Sequence, residues 1–339
     1  MNISIITFYW SKNLGALIQS LSLKKFVKEI NDINKVEFNS YQPKQLMIRE
    51  LNGQLKTYNP IKYFKAKKKN KLLTSWKNLE NFPHPSTIPN SFDDDLYIYG
   101  SDEIWNFQSS ICKFDPHFYG VKNTKKKIAY AASIGNAKYD TKLKEDVSKS
   151  LKSFLSISVR DKNTFKFVKS LTGANPIIVC DPSLLIEMKS ENINLSLSKN
   201  IGYALVYGRY FSNREIKDIK KYALNKNLKI VSVSYYNIWA DLNLLHINPS
   251  EFIYLIRNSN VIFTSMFHGV MLSFKYKKNF WFSQDPYRIN KLSFFIEKFK
   301  LMSRTMENLD NNKINYNLFE NSLSDWIEQS KEYLIQNIR

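Results

Sequence analysis

A segment pattern that recurs along the chain limits the possible folds more than any other feature. Each copy has an apolar run of strand length, then polar or glycine residues, then a helical pattern. The opening run, Ile3 to Phe8, is followed by four more, at Asp95 to Gly100, Lys127 to Ser133, Leu155 to Val159 and Ile177 to Cys180. Apolar strands that alternate with helices predict a parallel α/β sheet. The polar residues after each strand then gather at the carboxyl edge, where ligands bind.

A second series of apolar runs predicts a second domain. Its members are Tyr203 to Gly208, Lys229 to Val233 and Val261 to Phe263. A chain of 339 residues is also long for one hydrophobic core. We therefore predict two Rossmann-like domains facing across a cleft, one over residues 1–190 and the other over residues 200–339. A cleft between domains suits a site that must hold two substrates.

Residues 44–92 do not follow this pattern. They are charged, helical in patches and interrupted by prolines, so we interpret them as a basic helical insertion in the N-terminal domain rather than as core. Their densest basic run, residues 62–71, reads KYFKAKKKNK. A solvated helical face is the first interpretation of this run, an amphipathic membrane-surface element the second, and a nucleic-acid patch the third.

The formal net charge of +20 indicates an anionic partner: nucleic acid, an anionic membrane face or a phosphorylated substrate. We do not expect nucleic acid, because no zinc-finger or RNP-type signature accompanies the basic run. The chain begins without the basic and apolar segments of an export signal, and it has no run of roughly 18 apolar residues. We therefore expect a cytoplasmic protein.

Cofactor signatures are missing from the sequence. Cys112 and Cys180 form no Cys-x-x-Cys pair, and no two of the four histidines have metal-ligand spacing, so we expect no metal. Neither a Gly-x-x-x-x-Gly-Lys-Ser/Thr loop nor a Gly-x-Gly-x-x-Gly fingerprint occurs. Their absence disfavours an ATPase or a nicotinamide enzyme, and we expect no cofactor.

Residues 263–273 read FTSMFHGVMLS and contain one of the four histidines, His268. It comes just after a predicted buried strand and just before Gly269. One interpretation is a packed core histidine with a satisfied hydrogen bond. The other is an acid or base at the mouth of an α/β sheet, because imidazole titrates nearest to neutral pH.

Arg160 stands at the tip of a predicted strand in the first series. A guanidinium at the carboxyl edge of a sheet suits a carboxylate or a phosphate, which it can bind through two parallel hydrogen bonds. The competing interpretation is a salt bridge with Asp161 or Asp181. The residues alone leave both open.

Six short motifs occur in one order along the chain. They are NLGALIQ from Asn13, GSDEIWN from Gly100, AYAASIG from Ala129, SVRD from Ser158, DPSLL from Asp181 and SMFHG from Ser265. In this order the chain resembles the bacterial polysaccharide pyruvyl transferase family, whose patterns are NYGAxLQ, GSDQIWN, AYAASFG, SVR(E/D), DPTLL and Sx(F/L)HG. The resemblance implies a glycosyltransferase-B-like fold. It also implies phosphoenolpyruvate as co-substrate and, as acceptor, a sugar of a capsule, lipopolysaccharide or exopolysaccharide precursor.

The implied reaction joins C2 of phosphoenolpyruvate to two sugar hydroxyls as a ketal and expels phosphate. It needs a proton for the enol carbon, cations for the carboxylate and phosphate, and a base for the hydroxyl. The resemblance implies His268 for the proton, and Arg160 is the candidate for the anion by its place and chemistry. Asp102 is the candidate base, although a helix cap would look identical in sequence. Gly269 is expected to allow close backbone approach and to donate its amide to the anion.

The remaining candidates are expected on the substrate-binding surface. Asn13 and Gly15 would shape the acceptor side, or serve only as a turn, and Ser101 and Ser265 belong to the matching motifs. The N-terminal domain is the expected acceptor side and the C-terminal domain the expected donor side. A lipid-linked rather than nucleotide-linked acceptor would bring the protein to the inner face of the cytoplasmic membrane.

One position departs from the family pattern. Better-characterised members carry arginine two residues before the motif histidine, where this chain has Met266, which has no N–H or O–H to donate to an anion. A second hypothesis is therefore a glycosyltransferase of the same fold with a nucleotide-sugar donor. A third, from a different class, is a non-catalytic basic protein that binds nucleic acid or membrane, with salt-sensitive affinity.

Overall fold

The computed structural model describes residues 1–48, 60–109, 113–138, 145–193, 202–284 and 286–339. Two parallel β-sheets, each flanked by helices, confirm the predicted pair of Rossmann-like domains. The stretch between the two predicted domains, residues 191–199, falls mostly outside the described residues. The domain boundary therefore stays a prediction.

The first sheet has six parallel strands in the order β2-β1-β3-β4-β5-β6. The central strands are buried along nearly their whole length because helices cover both faces, and their sequences are accordingly continuous apolar runs. The strands are β1 Asn2–Ile6, β2 Lys35–Phe38, β3 Leu96–Tyr99, β4 Lys126–Ala132, β5 Ser156–Val159 and β6 Ile177–Ile178.

The second sheet has five parallel strands in the order β11-β10-β7-β8-β9. They are β7 Gly202–Tyr207, β8 Leu228–Val233, β9 Leu242–Leu244, β10 Val261–Thr264 and β11 Phe280–Phe282. The sequence patterns missed β2, β9 and β11. All three have four residues or fewer and lie at sheet edges; β2 and β9 are only partly buried, and β11 is apolar but has three residues, so none forms a long apolar run.

The helices follow the strands in the alternation that the sequence predicts. They are α1 Leu14–Lys28, α2 Pro60–Leu79, α3 Glu145–Lys152, α4 Lys162–Thr172, α5 Asn213–Asn225, α6 Pro249–Asn258, α7 Phe267–Lys275, α8 Pro286–Lys298 and α9 Glu320–Ile338. None of the helices within the described residues is both long and apolar enough to cross a bilayer. Helices α1 and α7 matter most for the candidate site, because their first turns lie against each other.

Two helices depart from the expected layout. The segment interpreted as an insertion contributes to the core: α2 buries Leu73 and Trp76 beside Phe82. The last helix, α9, packs on the first sheet, where Trp326 Nε1 donates to the carbonyl of Ile178 at 3.2 Å and Tyr333 donates to that of Ala129 at 3.0 Å. The end of the chain therefore ties the second domain back to the first.

Candidate active site

The amino ends of α1 and α7 meet between the two sheets. Asn13 caps α1, and its Oδ1 accepts a hydrogen bond from the backbone N–H of Gly15 at 3.0 Å. The same oxygen accepts a hydrogen bond from the hydroxyl of Tyr207, at the end of β7, also at 3.0 Å. Asn13 is thus both a helix cap and a polar link between the domains.

Gly15 lies directly against His268. A Cβ atom built on Gly15 would lie 2.5 Å from the Cβ of His268 and nearer still to its ring. Carbon atoms in favourable contact are about 3.5–4 Å apart. Glycine is therefore required here by the close approach of the opposing histidine, which is a reason beyond the bare turn considered from the sequence.

His268 occupies the first turn of α7, just after β10 ends, as predicted. Its ring is 7% exposed and stands edge-on to Phe267, with centroids 5.1 Å apart. Nε2 lies 3.5 Å from Asp181 Oδ2, and this buried nitrogen has no hydrogen-bond partner among the described residues. The distance marks an electrostatic contact that is longer than a good hydrogen bond. His268 is thus neither solvated nor fully satisfied, unlike an ordinary core histidine.

Asp181 follows β6 and begins a short 3₁₀ turn, where its Oδ1 accepts from the backbone N–H of Ser183 at 3.0 Å. Burial alone would raise the pKa of this carboxyl, but the neighbouring charges of His268 and Arg160 hold it well below its usual range. Asp181 is therefore a carboxylate at neutral pH. It can stabilise a proton on His268.

Arg160 joins two carboxylates. Its Nη1 donates to Asp181 Oδ2 at 2.9 Å, and its Nη2 lies 3.4 Å from Asp102 Oδ1. The guanidinium is buried and stands over the ring of Phe267 at 4.4 Å. Burial opposes its charge, but Asp102 and Asp181 outweigh burial and raise its pKa. The salt-bridge interpretation of Arg160 is thus the geometry observed, with Asp181 and Asp102 as partners instead of Asp161.

Asp161 has a separate role. It caps α4, and its Oδ1 accepts from the backbone N–H of Thr164 at 2.8 Å. Its Oδ2 accepts from the hydroxyl of Ser133 at 2.6 Å. Asp161 therefore stabilises the start of the helix, and Arg160 points to the neighbouring charges across the sheet edge.

Asp102 is partly accessible, with its side chain 18% exposed. Its backbone carbonyl accepts from the N–H of Ser133 at 3.0 Å, which fixes the loop to the end of β4. Its Oδ1 accepts from the backbone N–H of Glu103 at 2.9 Å. The carboxylate of Asp102 is connected to the charged cluster by its ion pair with Arg160. This leaves a base role for Asp102 as a prediction.

Three other predicted residues have structural contacts. Ser101 is fully buried: its hydroxyl contacts the Gln19 side chain, and its carbonyl accepts from the hydroxyl of Thr7 at 2.9 Å. Gly269 donates its N–H to the carbonyl of Met266 at 3.0 Å. A Cβ on Gly269 would lie 2.8 Å from that of Thr264, so close helix–strand packing explains this glycine.

Ser265 lies at the end of β10, and its N–H donates to the carbonyl of Tyr207 at 3.2 Å. A Cβ built on Gly208 would lie 3.1 Å from the Cβ of Ser265, so the two strand ends are closely packed here. The structure thus brings the predicted residues Asp102, Arg160 and His268 together: Arg160 pairs with Asp102 and Asp181, and Asp181 contacts His268. Ser101, Ser265 and Gly269 support the surrounding backbone.

Sequence reasoning missed two charged residues in this region. Lys291 of α8 forms an ion pair with Glu103, the residue after Asp102, with side chains 12% and 14% exposed. Glu103 belongs to the GSDEIWN motif, so the motif itself was a signal. No sequence signal indicated Lys291, because it lies in an ordinary helical pattern far along the chain from these motifs.

The fold is that of a two-domain α/β protein of the glycosyltransferase-B type. A family model described as polysaccharide pyruvyl transferase matches residues 13–282. This chain belongs to that family. A comparison with curated protein sequences finds no significant match.

Several solved structures match the chain at low sequence identity. A Listeria monocytogenes protein described as a UDP-N-acetylglucosamine 2-epimerase matches with a TM-score of 0.50 and 11% identity over 99% of this chain and 91% of its own. The UDP-GlcNAc 2-epimerase of Neisseria meningitidis, bound to UDP-GlcNAc, gives 0.49 and 10% over 98% and 94%. The Streptomyces nogalater glycosyltransferase SnogD gives 0.44 and 7% over 99% and 94%. At this identity the Listeria match shows the fold alone.

Proposed function

We propose that this chain transfers pyruvate from phosphoenolpyruvate, as a ketal, to a sugar of a bacterial cell-surface polysaccharide precursor. Membership of the family makes the chain a transferase of polysaccharide biosynthesis. The observation that carries the finer proposal is the buried pair of His268 and Asp181 between the domains. A carboxylate beside an imidazole is an arrangement suited to delivering a proton.

The reaction needs a proton at C3 of phosphoenolpyruvate, which makes C2 electrophilic. One sugar hydroxyl adds to C2, phosphate leaves with the electrons of its C–O bond, and the second hydroxyl adds. One hydroxyl proton replaces the proton given to C3, and the other leaves with phosphate or solvent. No oxidant, metal or organic cofactor is required, so we propose phosphoenolpyruvate as the only small co-substrate.

We assign the proton transfer to His268 and its support to Asp181 and Arg160. Asp181 stabilises the protonated imidazole, and Arg160 keeps Asp181 ionised through the 2.9 Å ion pair. Asp102, the accessible carboxylate of the cluster, is the proposed base for the sugar hydroxyl. In this structure both terminal nitrogens of Arg160 face carboxylates. To bind the donor directly, Arg160 would have to give up its contact with one of these carboxylates.

The acceptor is proposed on the N-terminal side, near Asn13 and Gly15, and the donor on the C-terminal side, near the start of α7. A saccharide carried on a nucleotide or on a lipid fits this arrangement.

Met266 favours a second candidate function. It stands at the N-cap of α7 and makes no side-chain capping hydrogen bond, so the side chain adds neither charge nor donor at the place where family members carry arginine. A glycosyltransferase with a nucleotide-sugar donor would not need that arginine. A non-catalytic basic protein is the third candidate.

One experiment separates the three. The protein is incubated with phosphoenolpyruvate or UDP-GlcNAc, and melting temperature is measured together with release of phosphate or UDP in the presence of saccharide acceptors. Stabilisation by phosphoenolpyruvate and acceptor-dependent phosphate release are expected. Stabilisation by UDP-GlcNAc alone, with UDP release, would establish the second function. Salt-sensitive polyanion binding without turnover would establish the third.

We also propose peripheral contact of α2 with an anionic membrane, which would bring the site to a lipid-linked acceptor. Lys67, Lys68 and Lys71 are exposed on this helix, and each basic residue near such a surface contributes about 1 kcal/mol. Replacing all three by serine should weaken binding to phosphatidylserine vesicles at low salt. Unchanged binding would rule out this part of the helix as the contact.

A further inference from the structure

A largely buried ion pair crosses the cleft beside the charged cluster of His268, Asp181, Arg160 and Asp102. Lys291 comes from α8 of the second domain, and Glu103 from the loop after β3 of the first. A salt bridge between such well-buried partners contributes little net stability, because both charges lose their hydration. A pair of this kind at a site for a charged substrate therefore calls for an explanation other than folding stability.

Lys291 belongs electrostatically to the same cluster as the proton donor. Burial lowers the pKa of Lys291 to about 8, and the negative charge of Asp102 opposes that effect. Asp102 in turn pairs with Arg160, and Arg160 pairs with Asp181. Lys291 thus stands at the opposite end of this line of charges from His268. It remains a cation at neutral pH.

The donor needs a cation, and among the described residues of the charged cluster Arg160 is already paired. Phosphoenolpyruvate carries a phosphate and a carboxylate, but both terminal nitrogens of Arg160 already face Asp181 and Asp102. Position 266 offers only the thioether of Met266. Lys291 supplies an ammonium group that extends from the second domain, where the donor is proposed, across the cleft to Glu103 of the first.

Glu103 can release Lys291 without losing all of its contacts. Its Oε2 accepts a hydrogen bond from Asn106 Nδ2 at 2.8 Å. A Cβ on Gly135 would lie 2.5 Å from the same oxygen, so glycine at position 135 leaves room for the carboxylate in its pocket. The carboxylate is therefore held on the first domain independently of its ion pair.

We propose that Lys291 binds the phosphate group of the donor, and that Glu103 holds Lys291 in place until the phosphate replaces it. This inference rests on the proposed donor, and it names a residue that none of the six motifs contains. When the phosphate replaces Glu103 as the partner of Lys291, the ammonium faces a negative charge before and after the exchange. A point charge with three rotatable N–H groups suits a phosphate that must later depart.

The test compares Glu103→Gln, Lys291→Met and the double variant with the unmodified protein. Dissociation constants for phosphoenolpyruvate and for inorganic phosphate are measured by calorimetry at neutral pH and constant ionic strength. Glu103→Gln should tighten binding of both anions by about 5-fold, because it removes a competing negative charge. In that background, Lys291→Met should weaken binding of both by at least about 10-fold, because a charge-assisted hydrogen bond is lost.

The double variant avoids an uncompensated buried charge, so the comparison does not depend on the stability of Lys291→Met alone. Lys291→Arg in the Glu103→Gln background should retain binding within about 3-fold, since the charge remains. Glu297→Gln is the matched control: it removes a carboxylate from the same helix α8, where Glu297 pairs with Lys162 at the surface. It should leave both constants unchanged.

Equal affinity of the double variant and Glu103→Gln for both anions would overturn the inference, even if phosphoenolpyruvate is turned over. Failure of inorganic phosphate and phosphoenolpyruvate to bind either the unmodified protein or Glu103→Gln would also overturn it. The proposed function fails separately, if phosphoenolpyruvate supports no turnover. The phosphate site at Lys291 would still stand in that case if inorganic phosphate follows the expected order of affinities.

Discussion

Gly15→Ala should damage the protein although alanine is the better helix former. Gly15 is the second residue of α1, and in a helix interior alanine is favoured over glycine by about 1 kcal/mol. If the position were open, the substitution would be neutral or stabilising. The structure predicts the opposite, because the added methyl group would lie 2.5 Å from His268 Cβ and closer to the ring.

The size of the effect follows from this overlap. Favourable carbon contacts begin near 3.5 Å, so His268 and Gly15 must separate by about 1 Å. Insertion of a methyl group into a packed interior costs about 1–3 kcal/mol, which outweighs the gain in helix propensity. A catalytic group misplaced by about 1 Å can lose about 100-fold in rate. We therefore expect a lower melting temperature and a turnover reduced by one to two orders of magnitude.

The assay combines thermal melting, urea unfolding and phosphoenolpyruvate-dependent phosphate release. His268→Gly supplies the control, because it removes both the ring and the Cβ that the new methyl group would meet. In the His268→Gly background, Gly15→Ala should no longer destabilise the fold, which appears as a coupling energy in the double-mutant cycle. A melting temperature and turnover equal to those of the unmodified protein in Gly15→Ala would refute the close contact of α1 and α7.

Three further predictions concern the charged cluster. His268→Ala should lower turnover by at least about 100-fold with the chain still folded. His268→Gln should be equally inactive, because an amide cannot deliver a proton. Near-normal turnover in either variant would show that the histidine is a packing residue. Arg160→Lys should raise the donor KM and lower the free energy of unfolding by about 1–3 kcal/mol, because one ammonium cannot bridge Asp181 and Asp102 as the guanidinium does. An unchanged urea midpoint would contradict this bridge. Because the folded-state pKa of Asp181 lies below its ordinary value of 3.8, its contribution to stability is complete above about pH 4 and is lost as the pH falls towards the lowered value. Melting curves between about pH 6 and pH 3 should therefore show a steeper decline for the unmodified protein than for Asp181→Asn, and parallel declines would exclude Asp181 as the source.

The sequence by itself determined the class of fold. Parallel strands covered by helices on both faces must be apolar along their length, so β3, β4, β7, β8 and β10 could be located from their composition. The polar residues that follow these strands indicated the carboxyl edges as the site, and the order of six motifs indicated the family. The edge strands β2 and β9 are only partly buried and β11 has three residues, so none of them leaves a long apolar run, and they were missed.

Only the tertiary structure decided which of the candidate residues meet. From the sequence, Asp181 was only a possible salt-bridge partner of Arg160 and part of the DPSLL motif. Its contact with His268 joins residues from different domains, so no local pattern encodes it. The ion pair of Lys291 with Glu103 and the need for glycine at position 15 depend in the same way on how the two sheets face each other. Local propensity and periodicity act over a few residues, whereas these contacts depend on packing between separate domains.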